Sequence, residues 1–338
     1  MRILISEYLC GGHWPEAEWP VSLMREGRAM LEALLADCLV LPEISLMTTW
    51  DARLAPPRSP DNQRLHVENV ASPEEARKKM REMAHSADAA LIIAPELDGI
   101  LEQACQELMA TGVRLLNCST PAIQHCTDKL AVYRTCCEWN LPTIPTAEPG
   151  TAPRWLPGVI KRRDGAGSTG MHGFWTIADW KRCRAEIAVN ENSLEQPWMA
   201  GVSCSVAAIF DRGKLKCVFP PALQQISPDG TFRYLGGTIP APEIPSALCI
   251  KTIRKFAEAV PELHSYVGFD FLISESTGSP LLVDVNPRLC TSYVGYRAIC
   301  DQSLANWLLF PEQEIPPRFS GSVTFSSDGA IFDKSGPQ

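Results

Sequence analysis

The chain has 338 residues, 45% of them hydrophobic and 21% charged, with a formal net charge of −8. That is enough apolar material for a packed core and enough length for two or three lobes, so a disordered chain is excluded. The negative balance excludes nonspecific nucleic-acid or anionic-membrane binding as the main task, and no apolar run is long enough for a membrane span.

Met1-Arg2-Ile3-Leu4-Ile5 reads as an opening strand over Ile3 to Ser6, not as a signal peptide. A loop, Tyr8 to His13, follows with Gly11-Gly12. Val21 to Asp37 carries a helical stripe of Leu23, Met30, Leu31, Leu34 and Leu35. Leu39-Val40-Leu41 reads as a second short strand, and the proline-rich stretch from Arg53 to Asn62 as a surface loop. A charged helix over Pro73 to Ser86, a buried strand over Ala89 to Ala94, a helix near Leu97 to Thr111 and a strand over Arg114 to Asn117 complete the first third. Strands alternating with helices predict a parallel, Rossmann-like sheet covered on both faces.

The pattern then changes to α+β. Val159-Ile160-Lys161 and Gly173-Phe174-Trp175 read as strands flanking a glycine-rich loop. Cys204 to Phe210, Leu215 to Phe219 and a hairpin over 266–285 are the long strands that follow. A small hairpin, Val323 to Phe325 and Ile331-Phe332, closes the chain. Thirteen cysteines are scattered through apolar runs with no metal-ligand spacing, which predicts reduced thiols in a cytoplasmic enzyme.

The chemistry concentrates at Leu281-Leu282-Val283-Asp284-Val285-Asn286-Pro287-Arg288. Side chains alternate along a strand, so Asp284, Asn286 and Arg288 share a face. Asp270 sits in the preceding strand, and the turn at 274–280 folds it back towards them. Acid and carboxamide oxygens suit Mg²⁺, with Mn²⁺ as an alternative, while the arginine fork suits a phosphate or carboxylate. The loop Asp164 to Gly170, with Gly167, Ser168 and Thr169, lets backbone approach a phosphate, and Lys161 feeds it with a cation. It lacks the ending of a P-loop. Glu7, Gly11 and Gly12 follow the first strand, where open α/β sheets bind ligands, and Ser292 and Tyr293 follow the metal strand; these five are candidate substrate contacts.

Lys129, Lys161 before the glycine loop, Gln196-Pro197-Trp198-Met199-Ala200-Gly201, Asp270 and Asp284-Val285-Asn286-Pro287-Arg288 occur in the order of the ATP-grasp ligases, which residues 117–310 resemble. Lys161 and its loop look like D-alanine–D-alanine ligase, and Asn286-Pro287-Arg288 like biotin carboxylase. The resemblance implies a Rossmann-like lobe over 1–118, a small ATP-grasp lobe with a lid loop over 119–200, and a large lobe with the metal site over 201–338. It implies that Lys129, Lys161 and the loop hold the phosphates of ATP. Gln196, Trp198 and Met199 would read the adenine, and Asp270, Asp284 and Asn286 would hold the metal. Arg288 would steady an acylphosphate or a tetrahedral intermediate. Ser203 stands where many relatives carry the ribose-binding Glu. Glu7-Tyr8 with Gly11-Gly12, and Asn286 to Leu289 with Thr291 to Gly295, resemble the branch containing tyramine–glutamate ligase.

The expected activity is therefore an ATP-dependent joining of a small carboxylic acid to an amine, with no nucleic-acid or membrane partner and with a homodimer left open. A carboxylase-like or phosphotransfer enzyme and a nonenzymatic nucleotide-binding regulator are the alternatives.

Overall fold

The computed structural model describes residues 1–15, 17–58, 63–165, 170–186, 189–313 and 315–335. The N-terminal lobe runs β1 (Arg2–Glu7), α1 (Val21–Cys38), β2 (Ser45–Asp51), β3 (Leu65–Val70), α2 (Pro73–Ala84), β4 (Ala89–Ile93), α3 (Ile100–Met109) and β5 (Arg114–Leu115). Its sheet is parallel, in the order β3-β2-β1-β4-β5. Buried on both faces, β4 reads as an unbroken apolar run and β1 as Ile3-Leu4-Ile5 ending in the buried Ser6 and Glu7. Helix α2 starts where Ser72 accepts the Glu75 N–H, Pro73 fills the first turn and Glu75 reaches back to the Ala71 N–H.

One expected strand is a correction. Leu39-Val40-Leu41 is not extended: the N–H groups of these residues bond to the Leu35, Asp37 and Cys38 carbonyls and wind down α1. The second strand is instead β2, past Pro42, whose adjacent Thr48 and Thr49 are both fully buried, one on each face of the sheet.

Helices α4 (Thr120–Thr127) and α5 (Lys129–Glu138) lead into a small antiparallel sheet of β6 (Gly158–Arg162), β7 (His172–Phe174) and, after α6 (Ile177–Glu186), β8 (Ser193–Pro197). This lobe has its own small core of Ile160, Phe174, Trp180 and Cys183. An eight-stranded sheet follows, from β9 (Gly201–Asp211), β10 (Lys214–Val218), β11 (Ala222–Ile226), β12 (Tyr234–Ile239), β13 (Ser265–Ser274), β14 (Pro280–Asn286), β15 (Ser322–Ser326) and β16 (Ile331–Ser335). Helices α7 (Ser246–Ala259), α8 (Ser292–Ile299) and α9 (Ala305–Leu309) are interspersed. Among the described residues no helix is long and apolar enough to cross a membrane, and all thirteen cysteines are free.

The N-terminal lobe and the large lobe share one core. Leu31, Leu34 and Leu35 of α1 pack in the same cluster as Tyr293, Tyr296 and Leu308. The Asp37 carboxylate, at the end of α1, accepts the Tyr293 hydroxyl at 2.5 Å and the Ala305 N–H at 2.8 Å. These bonds hold α8 and α9 against α1 and fix the wall of the cleft that contains the chemistry.

Candidate active site

Strands β13 and β14 form the expected hairpin, with Asp270 opposite Asp284 and Gly268 opposite Asn286. The ladder slips after that pair: Phe271 faces Leu282, so Val283 is an extra residue on β14. The bulge turns Val283 and Asp284 into the same cavity as Asn286, while Leu282 and Val285 stay in the core. Asp270 is held by the Gln224 amide at 2.9 Å and the Asn286 Nδ2 at 2.9 Å. Burial, and then the charge of Asp284, push its carboxyl up to about 6. Two like-charged groups set face to face in an apolar sheet repel until a cation joins them. No trio of His, Cys, Asp or Glu is gathered for a metal among the described residues. The available set is two carboxylates and a carboxamide, hard oxygen donors that fit Mg²⁺.

Two lysines face that set. Lys129, at the start of α5, bonds to Asp284 at 2.9 Å and to the Gly165 carbonyl at 2.8 Å. Lys161 on β6 is 3% exposed and lines the cavity. Among the described residues its ammonium has no hydrogen-bond partner, and burial draws its pKa down to about 8. An unpaired buried cation beside paired acids is a seat for an anion. The glycine loop leaves from the end of β6. Gly167, Ser168 and Thr169 lie outside the described residues, but the loop's base is fastened. Asp164 accepts Arg162, Asn192 and the Asp98 N–H, and Arg162 also reaches Asp98 at 2.7 Å, linking the small lobe to the N-terminal lobe.

Arg288 lies just past the end of β14 and lines the cavity. Its Nε donates to Glu96 at 2.8 Å and its Nη1 to the Leu289 carbonyl at 3.1 Å. Glu96 comes from the end of the N-terminal sheet, so the same guanidinium joins two lobes and faces the cleft. Burial opposes its charge, but Glu96, with Cys290 and Glu26, more than offsets it and holds the pKa above the usual arginine range.

The other candidates divide. Ser203 and Ser292 line the cavity of about 250 Å³, Ser292 within 3.3 Å of the Tyr266 hydroxyl. Gln196 is buried at the end of β8, its amide donating to Thr146 at 2.8 Å, and Trp198 is 39% exposed; neither they nor Met199 line the cavity. Tyr293 is fully buried on Asp37. Glu7 is buried, accepts the Cys10 N–H at 2.7 Å, and is pushed up to about 7 by burial. Gly11 and Gly12 serve the turn above it: a Cβ on Gly11 would sit 2.5 Å from the Glu7 carbonyl oxygen, and Gly12 has φ +81°. The cavity adds residues that sequence reasoning missed: Glu26 from α1, Gln224, and Tyr234 from β12. Glu26 had a signal, since a carboxylate at the position four before Met30 interrupts an otherwise apolar helix stripe.

Comparison with known proteins agrees with this architecture. Residues 126–292 match the model of an ATP-grasp domain, and residues 44–123 that of a pre ATP-grasp domain. Tyramine–L-glutamate ligase from Methanocaldococcus fervens is 25% identical over 291 residues, covering 85% of this chain and 87% of its own. Its counterpart from Methanocaldococcus jannaschii is 23% identical, covering 85% and 83%. An ATP-grasp superfamily protein from Archaeoglobus fulgidus superposes with a TM-score of 0.69 at 22% identity, over 96% of this chain and 92% of that one. The biotin carboxylase domain of a Hydrogenobacter thermophilus 2-oxoglutarate carboxylase, solved with MgADP and bicarbonate, gives 0.69 at 12% identity over 96% and 73%. With its two matched domains laid end to end around a cleft of lysines and acids, the chain belongs to the ATP-grasp superfamily and is an ATP-dependent ligase that forms carbon–nitrogen bonds.

Proposed function

We propose that the protein joins glutamate to an aromatic amine of the tyramine type through an acylphosphate, in the cytoplasm, as a step in making a methanofuran-type one-carbon cofactor. The observation that supports the chemistry is that one cavity gathers an oxygen-ligand set, two lysines and an arginine. The substrates rest on the relatives that match 85% of the chain.

A carboxylate does not acylate an amine unaided, because oxide is a poor leaving group. In the proposed reaction a carboxylate oxygen attacks the γ-phosphorus of ATP, the bond to the bridging oxygen breaks, and ADP leaves. The amine nitrogen, in its neutral form, then attacks the acyl carbon, phosphate departs with the bonding electrons and the nitrogen gives up a proton to solvent. Lys161 and Lys129 neutralise phosphate oxygens, with Lys129 already oriented by Asp284. Mg²⁺, when held by Asp270, Asp284 and Asn286, supplies charge neutralisation at the transferring phosphoryl group. Arg288, positioned by Glu96, offers its remaining donors to the acylphosphate or to the oxyanion. Adenine would be read by backbone near Trp198 and Met199, and ribose near Ser203. The loop beyond Lys161 would cover the acylphosphate, which water otherwise destroys.

The test is ADP release with panels of acids and amines, with the product identified by mass spectrometry. ADP formation that needs both glutamate and tyramine, with the amide as product, is the expected result. Turnover with a different acid–amine pair would replace the substrates. Bicarbonate-dependent turnover would replace the reaction, and no turnover would leave a nucleotide-binding regulator.

A further inference from the structure

We infer that Glu26 receives a primary ammonium group carried by one of the two substrates. What that ammonium does next rests on the ligase reading above; its binding does not. Glu26 projects from α1 of the N-terminal lobe into the cavity, beside Thr291, Ser292 and Tyr234. The side chain is in a residue only 9% exposed. Its carboxylate accepts the Ser22 hydroxyl at 3.2 Å and the Thr291 hydroxyl at 3.4 Å. Among the described residues no lysine, arginine or histidine lies within ion-pair distance of it. Arg288 acts on it only from further off, since that guanidinium is engaged by Glu96. Lys129 and Lys161 belong to the other group, with Asp284 and Asp270.

A buried carboxylate with two long hydroxyl bonds and no counter-ion is expensive to keep. Nothing in the packing of α1 calls for it, because an apolar residue there would continue the stripe of Met30 and Leu34. The charge is accounted for if a cation arrives with a ligand. Two further features of the wall fit such a ligand. The Tyr234 hydroxyl has no hydrogen-bond partner among the described residues and faces the same cavity, and Met171 and Ile226 give the cavity apolar surface for the body of the molecule. The cavity is thus polarised, with cations towards the phosphates and an acid at the N-terminal lobe. A primary ammonium could come from the amine that attacks or from the α-position of an amino-acid acid substrate.

The experiment is calorimetric titration of the full chain, with Mg²⁺ and a non-hydrolysable ATP analogue, using tyramine against its alcohol counterpart tyrosol and L-glutamate against glutarate. In the wild type, at least one ammonium ligand should bind better than its uncharged or des-amino partner. Glu26→Gln, which keeps the shape and the hydroxyl bonds, should weaken that ligand by about 10–100-fold, the worth of a charge-assisted bond. Tyrosol, glutarate and the nucleotide analogue should be unchanged. Glu26→Asp, which keeps the charge, should recover part of the loss. A loss for tyramine assigns the site to the nucleophile, and a loss for L-glutamate assigns it to the α-ammonium of the acid. Equal binding of each pair to the wild type, or unaltered ammonium binding in both variants, overturns the inference. Selective ammonium binding without ADP formation would retire the ligase reading alone; amide synthesis together with ammonium binding that Glu26→Gln leaves unaltered would retire the inference alone.

Discussion

At the scale of single residues, the site separates charges that compete from charges that cooperate. Asp270 and Asp284 repel each other, so Asp270→Asn should leave the melting temperature at or above wild type while turnover falls below about 1%, as expected when a hard ligand is lost beside phosphate. Steady-state kinetics paired with a thermal melt checks both halves. Arg288→Lys keeps a charge but loses the fork that spans Glu96 and the cleft. The expected fall in kcat is about 10²–10³, with ATP affinity changing far less. A normal kcat with a lowered melt would reduce Arg288 to a strut between lobes. Lys161 is charged below about 8 and neutral above, so ATP affinity should fall by up to about tenfold per unit as pH rises past 8. In Lys161→Ala that slope should vanish and binding should be weak throughout. Glu7 has the opposite sign of shift. Its folded carboxyl keeps a proton up to about 7 that the unfolded chain loses near 4.5, so stability declines as pH rises between those values, by about 3 kcal/mol. Denaturant titrations of Glu7→Gln should show that decline flattened.

At the scale of elements, the metal hairpin was legible because two acids interrupt strands that are otherwise apolar, and a turn-rich link joins them. Its bulge was not: Val283 and Leu282 are both aliphatic, so the sequence alone offers no sign of where alternation slips. The second strand was misplaced because a short apolar run after a helix, Leu39 to Leu41, has the composition of a strand, while its backbone groups are already committed to the last turn of α1. Strands β3, β11 and β12 escaped notice because their polar and glycine positions dilute any period of two. The glycines after β1 were noticed for a ligand, yet their described surroundings show a turn. Gly12 has φ +81°, and a Cβ there would lie 2.4 Å from Val70 Cγ2. Gly12→Ala should therefore cost about 1–3 kcal/mol in a chemical melt.

At the scale of the whole molecule, the change from an alternating βα pattern to an α+β half was legible along the chain, and so was the gathering of Asp270, Asp284 and Asn286, because they sit on neighbouring strands. What long-range packing adds was not legible: Glu26 and Arg288 meet in one cavity from positions 262 apart in sequence, and only the docking of α1 on α8 brings them there. The shared core under that docking has a mechanical meaning. The N-terminal and large lobes are clamped as one body at Asp37, α4 and α5 join its packing through Ile123, Cys126, Val132 and Cys136, and the β6–β8 sheet keeps a separate core of four side chains. Any movement of that sheet has to break the bond from Arg162 to Asp98, so the strand that carries Lys161 is latched at its end to the N-terminal lobe.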